Sequence, residues 1–110
     1  MANNYGNTMT LTPHQKDEII RELVGFLKNE PEIKRIVVFG SFLSSNAPND
    51  LDVAVFQTSS EKYLPLAMKY RRKIEPLAQR IAVDVIPLRP NPPKVTFLEE
   101  IAHGEVVYER

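Results

Sequence analysis

Two apolar, β-branched runs, Ile36-Val37-Val38-Phe39 and Leu51 through Phe56, flank a polar loop that opens on Gly40-Ser41 and closes on Asp50-Leu51-Asp52. Runs rich in Val and Ile suit strands. Side chains alternate across a strand, so Asp50 and Asp52 share a face. Two carboxylates so placed repel unless something cationic lies between them. A hard divalent cation such as Mg²⁺ takes oxygen ligands of this kind, usually one or two carboxylates with phosphate oxygens. Gly40 permits a sharp turn after the first strand, which can bring backbone N–H groups and the Ser41 hydroxyl against a phosphate. Taken singly, a D-x-D pair at a strand edge reads as a solvated turn, and Gly-Ser as ordinary turn chemistry. Together, each at the end of an apolar strand, they read as a plan for handling a nucleoside triphosphate.

Gly40-Ser41, eight residues, then Asp50-Leu51-Asp52-Val53 resembles the signature of the DNA polymerase beta-like nucleotidyltransferase superfamily. The small size resembles its minimal nucleotidyltransferase (MNT) branch, whose members are often encoded beside a HEPN-type partner as toxin–antitoxin pairs. The resemblance runs from about Ile33 to Tyr108, and Phe97-Leu98-Glu99-Glu100-Ile101 with Gly104-Glu105-Val106-Val107-Tyr108 also reads like that branch. The loop between Ser41 and Asp50 is at or just under the short end of what the family uses. Phe42-Leu43-Ser44-Ser45 stand where Arg and Gly are common.

At 110 residues the chain reads as one domain, with a loose, Asn-rich arm over 1–10 and a single nucleotidyltransferase domain over 11–110. Apolar content of 43% and charged content of 25% suit a soluble globular protein. A formal net charge of zero gives no argument for direct nucleic-acid binding or for an anionic membrane. There is no cysteine, hence no disulfide and no thiolate metal site. The two histidines, His14 and His103, are too separated for a zinc site. The first ten residues lack the apolar segment of a signal peptide, and no stretch approaches the roughly 20 apolar residues that span a bilayer. The expected setting is cytoplasmic.

Thr12-Pro13-His14-Gln15 is a helix start with a capping box, and Ile19, Ile20, Leu23, Val24 and Leu27 make a core-facing stripe up to about Lys28. Ile33 to Phe39 is expected as a central strand covered on both faces. Phe42 and Leu43 are expected as core beneath the turn. After Leu51–Phe56, helical turns are expected from Thr58, then a main helix from about Pro65 to Ile74 and a continuation to Arg80. Leu64, Met68, Ile74 and Leu77 are expected to face the core. Lys69, Arg71, Arg72 and Lys73, with Tyr70 among them, form either a solvated face or a contact for phosphate or an acidic partner. Ile81 to Pro87 is a third strand, whose Asp84 is the only charge in an apolar run. A buried aspartate is costly unless paired or metal-bound. It is either salt-bridged to an arginine or, as the resemblance implies, a third catalytic carboxylate. Thr96 is a candidate cap for a last helix, Phe97 to His103, and Val106 to Tyr108 a short edge strand.

The expected fold is α/β (α+β), a nucleotidyltransferase-like mixed sheet with helices packed on it. The resemblance implies an Mg-dependent enzyme that transfers a nucleoside monophosphate from ATP or another nucleoside triphosphate to a hydroxyl acceptor. Asp50, Asp52 and Asp84 would be catalytic and hold two Mg²⁺ ions, and Gly40 and Ser41 would bind the nucleotide. With no second domain to grip a substrate, the acceptor is expected on a HEPN-type protein partner, or the chain is a homo-oligomer. The competing reading is an antitoxin that serves as a binding module for its toxin, with chemistry weak or lost. A D-x-D glycosyltransferase is disfavoured because the chain is too short for the usual nucleotide-sugar fold.

Overall fold

In the computed structural model of the chain, residues 10–92 and 98–110 are described. The expected arm lies outside them apart from Thr10, as do Thr96 and Phe97, the expected cap and first residue of the last helix.

Helix α1 spans Pro13–Leu27. Thr12 Oγ1 accepts the Gln15 N–H at 3.1 Å, and Gln15 Oε1 accepts the Thr12 N–H at 2.9 Å. This reciprocal pair satisfies two donors that a helix start leaves open. Ile19, Leu23 and Leu27 are buried at one-turn intervals, flanked by half-buried Ile20 and Val24. The chain continues through β1 (Ile33–Phe39), α2 (Ser41–Ser44), β2 (Asp50–Gln57), α3 (Tyr63–Lys73), α4 (Glu75–Ala78), β3 (Ala82–Leu88), α5 (Leu98–Ala102) and β4 (Glu105–Glu109).

The strands form one mixed sheet in the order β3-β2-β1-β4. β1 pairs antiparallel with both β2 and β4, and β3 runs parallel to β2. A parallel pair needs a long crossover, which α3 and α4 supply. β1 is therefore internal, as its apolar run requires, and β4 is the edge strand the C-terminal sequence suggests.

Strand alternation divides the core in two. Ile36, Val38, Leu51, Val53, Val55 and Val85 face α1, α3 and α4, where Leu23, Leu66, Tyr70, Ile74 and Leu77 meet them. Each such buried side chain contributes about 1.5–3 kcal/mol, so this layer dominates the stability. On the other face Val37, Phe39, Ala54 and Phe56 lie beneath Ile101 of α5. A Cβ on Gly104 would stand 2.6 Å from the Val38 carbonyl oxygen, so only glycine lets the end of α5 close down on β1.

Helix α3 corrects the sequence reading. It begins at Tyr63, so Pro65 falls in the first turn, where its missing N–H breaks no helical bond. Leu66, Ala67 and Tyr70 consequently turn inward, while Leu64 and Met68, expected in the core, are exposed. Ile74 and Leu77 are buried as expected. The turns expected from Thr58 are not helical. Instead Gln57 Oε1 accepts the Ser59 N–H at 2.6 Å, and Ser59 Oγ accepts the Glu61 N–H at 2.9 Å.

The basic cluster of α3 also splits. Lys69 reaches Glu30 and Glu32, each at 3.1 Å, and Lys73 reaches Glu30 at 2.9 Å. The Tyr70 hydroxyl donates to Glu32 at 2.9 Å. Two of the four cations are thus spent inside the fold, tying α3 to the segment that joins α1 to β1.

Candidate active site

Three strand ends meet at one place. Phe39 of β1 lies opposite Asp52 of β2, and Asp84 of β3 lies on the other side of Asp52. Neighbouring strands are about 5 Å apart, so the two aspartates stand side by side on the face that also carries Ala54 and Ile86. Asp50 sits two residues earlier on β2, opposite Ala82, with its side chain on the same face.

Gly40 follows Phe39 directly, with φ at +82°. L-residues rarely adopt that conformation. A Cβ at this position would lie 2.6 Å from Asp52 Oδ2. Gly40 therefore makes the turn and leaves room for the carboxylate. Ser41 is exposed as the first residue of α2, beside the turn. Phe42, fully buried, anchors α2 under the loop as expected.

The Asp52 carboxyl is pushed up to about 6. Burial is the largest cause, followed by the charges of Asp50, Asp84 and Glu100. Among the described residues no lysine or arginine forms an ion pair with Asp50, Asp52 or Asp84. The salt bridge considered for Asp84 is therefore not found among them. Asp84 is also exposed, because β3 is an edge strand and its start opens to solvent. The desolvation cost anticipated for a buried aspartate does not arise.

Beside this end of the sheet lies a cleft of about 460 Å³ lined by Gly40, Leu43, Ser44, Glu99, Glu100 and His103. Glu100 was not singled out from the sequence as part of the site. Nothing in its local spacing ties it to the aspartates, since only the packing of α5 on the sheet brings it near. Uncompensated carboxylates with room at Gly40 form a hard-oxygen donor set, which suits Mg²⁺ and not a thiophilic metal. Among the described residues no three acidic or histidine side chains are gathered closely enough to hold an ion. Mg²⁺ does not need such a cage, because one or two carboxylates with substrate phosphates can complete its shell.

The sequence model of the family described as Polymerase beta, Nucleotidyltransferase matches residues 21–110. No curated protein matches the sequence. Among solved structures, a toxin–antitoxin complex with AMP-PNP aligns with a TM-score of 0.65 at 20% identity, covering 83% of this chain and 73% of the other. The toxin–antitoxin pair MntA–HepT aligns with a TM-score of 0.62 at 18% identity, covering 86% and 73%. A complex of tri-AMPylated Shewanella oneidensis HEPN toxin with MNT antitoxin aligns with a TM-score of 0.59 at 20% identity and the same coverage. At such identities the likeness is one of fold.

Proposed function

Because this chain belongs to the Polymerase beta nucleotidyltransferase family, we propose that it transfers a nucleoside monophosphate from a nucleoside triphosphate, ATP foremost, to a hydroxyl on a HEPN-type protein partner. The observation that carries the reading is the meeting of the Gly40 turn with the Asp52 carboxylate, with Asp84 beside it in register. A turn open to a phosphate beside adjacent carboxylates suits a metal-bound triphosphate, which supports the reading. The fold neighbours support it, since one contains AMP-PNP and another an AMPylated HEPN toxin. We read the setting as cytoplasmic, where such triphosphates are available. Among the described residues no helix is long and apolar enough to cross a membrane.

In this reaction the acceptor oxygen forms a bond to the α-phosphorus. The bond from that phosphorus to the bridging oxygen breaks, and pyrophosphate leaves with the electron pair. Bound Mg²⁺, as two ions, would stabilise the attacking and leaving oxygens. Asp50 and Asp52 would hold the metal that accompanies the triphosphate. Gly40 and Ser41 seat its tail. Asp84, the most open of the three, serves the nucleophile side and takes the hydroxyl proton. The protein's contribution is mainly position and fixed charge.

Asp84→Asn tests this assignment. Its size and shape are kept while the charge and basicity go. Binding of Mg-ATP, followed by calorimetry, should stay within a few-fold of wild type. Transfer to the partner, followed by intact-mass spectrometry, should fall by roughly 10²–10⁴, the usual loss for a general base. Undiminished transfer would remove Asp84 from the mechanism. If wild type binds Mg-ATP but transfers nothing, the competing reading of a binding module with lost chemistry takes its place.

A further inference from the structure

We infer that the outward stripe of α3 is a protein-docking surface on the face of the sheet opposite the carboxylates, and that it holds a partner whose own face carries an apolar stripe edged by acidic residues. The inference rests on the reading of the chain as one half of a pair with a HEPN-type protein.

Among the described residues four large apolar side chains are exposed, and three of them lie on this one helix: Tyr63 at 55%, Leu64 at 60% and Met68 at 47%. Single exposed apolar residues are ordinary, but aligned ones mark contact sites. Leu64 and Met68 are one turn apart, and Arg71 and Arg72 follow on the next turn of the same side. Lys69 and Lys73 are engaged with glutamates, whereas neither Arg71 nor Arg72 has an ion pair, hydrogen bond or ring contact among the described residues. An apolar stripe that ends in two free guanidinium groups is complementary to apolar residues beside carboxylates. Arg is also among the residues enriched in interfaces. The net charge of the chain is zero, so the attraction is local to this helix.

A second copy is the less suitable occupant. Helix α3 itself carries no aspartate or glutamate, so α3 set against α3 of a second copy supplies no carboxylate to Arg71 and Arg72. A different protein can offer apolar residues and carboxylates together.

The location has a consequence. Leu66 and Tyr70 of α3 pack with Val53 and Val55, whereas Asp52 lies on the opposite face with Ala54 and Phe56. A partner held by α3 leaves the cleft beside Gly40 open. Holding the partner and modifying a hydroxyl are then separate surfaces of one small domain, and the hydroxyl reaches the cleft from a partner molecule other than the one that α3 holds.

The experiment is co-expression with the HEPN-type protein of the pair, with affinity measured by calorimetry and nucleotide competence by the thermal shift with Mg-ATP. Leu64→Asp/Met68→Asp and Arg71→Glu/Arg72→Glu change exposed positions, and circular dichroism checks their folding. Each double variant should weaken association by on the order of tenfold or more and keep the wild-type thermal shift. Asp52→Asn should do the reverse. Association unchanged in both α3 variants overturns the docking surface, as does a wild-type protein that forms no complex. A full Mg-ATP shift in Asp52→Asn would instead count against the nucleotidyltransferase reading and leave the docking result standing.

Discussion

Asp52 is ionised at neutral pH against the preference of its surroundings. Its carboxyl lies at about 6 instead of the ordinary 3.8, through burial and then through Asp50, Asp84 and Glu100. A carboxyl raised in the folded state favours folding at low pH, and that contribution is lost as pH rises through 6. Without metal, Asp52→Asn should therefore match wild type in Tm near pH 4, exceed it increasingly as pH rises through about 6, and keep a constant advantage above pH 7. A difference that does not grow over that range would show that neither burial nor the neighbouring carboxylates hold Asp52 above its ordinary value. A proton and a cation compete for the same oxygens, so Mn²⁺ affinity by spin resonance should drop between pH 7 and pH 5. Gly40→Ala is the companion test. It places a Cβ 2.6 Å from Asp52 Oδ2 and forces an L-residue to φ +82°. The backbone should cost about 1–2 kcal/mol, and the displaced carboxylate should lose the cation. Wild-type Mn²⁺ binding in a folded Gly40→Ala would show that the turn is not part of the site. Gly40, Ser41, Asp50 and Asp52 were legible in the sequence because one short loop carries them. Asp84 was legible as a charge in an apolar run. Glu100 was not, because only tertiary packing brings it to Asp52.

Helix α3 shows why the phase of an element is harder to read than its existence. Tyr63, Leu64, Leu66, Ala67, Met68 and Tyr70 supply apolar groups for both faces, so periodicity alone allows two orientations. Tyr70 decides between them. Its ring is buried while its hydroxyl reaches Glu32, which no count of apolar residues records. Burial, and then the bond to Glu32, hold the Tyr70 hydroxyl well above its ordinary range. Burial alone would raise Glu32, but a backbone hydrogen bond, Tyr70 and Lys69 outweigh it and lower it below 4.5. Glu30 is lowered first by its bond from Lys73. Lowered carboxyls stabilise the fold above their unfolded values and lose that contribution as pH falls through the folded ones. The anchoring of α3 should therefore weaken below about pH 4.5. Tyr70→Phe keeps the ring and removes the bond, leaving Glu32 with one donor fewer. It should cost about 1–2 kcal/mol, and protection of α3 amides in hydrogen exchange should fall with it. Unchanged stability in Tyr70→Phe would make the network ornamental and leave packing alone to orient the helix.

At the scale of the molecule, one sheet separates two kinds of work. The face beneath α1, α3 and α4 holds the main core, and the other holds a small apolar layer beside uncompensated carboxylates. The mixed α/β class was legible from alternating helical and strand patterns. The order β3-β2-β1-β4 was not, because the pairing of β4 with β1 joins residues far apart in the sequence. The separation of faces makes a prediction about the whole fold. A ligand that binds only the folded protein stabilises it by mass action, by about 2.7 kcal/mol when its concentration is 100 times Kd. At roughly 4–8 °C per kcal/mol for a domain near this size, Mg-ATP at that excess should raise Tm by on the order of 10–20 °C. Asp52→Asn should start from a higher Tm than wild type at pH 7.5 without ligand, since the burial of a charge and then its repulsion are relieved, and then show little or no rise with Mg-ATP. The two melting curves should cross in rank as nucleotide is added. Ordinary damage to the core would lower both states of the variant together and leave the ranking unchanged. An Asp52→Asn protein that is less stable without ligand, yet shifts as wild type does with it, would mean that the carboxylate supports the fold and that the triphosphate binds elsewhere.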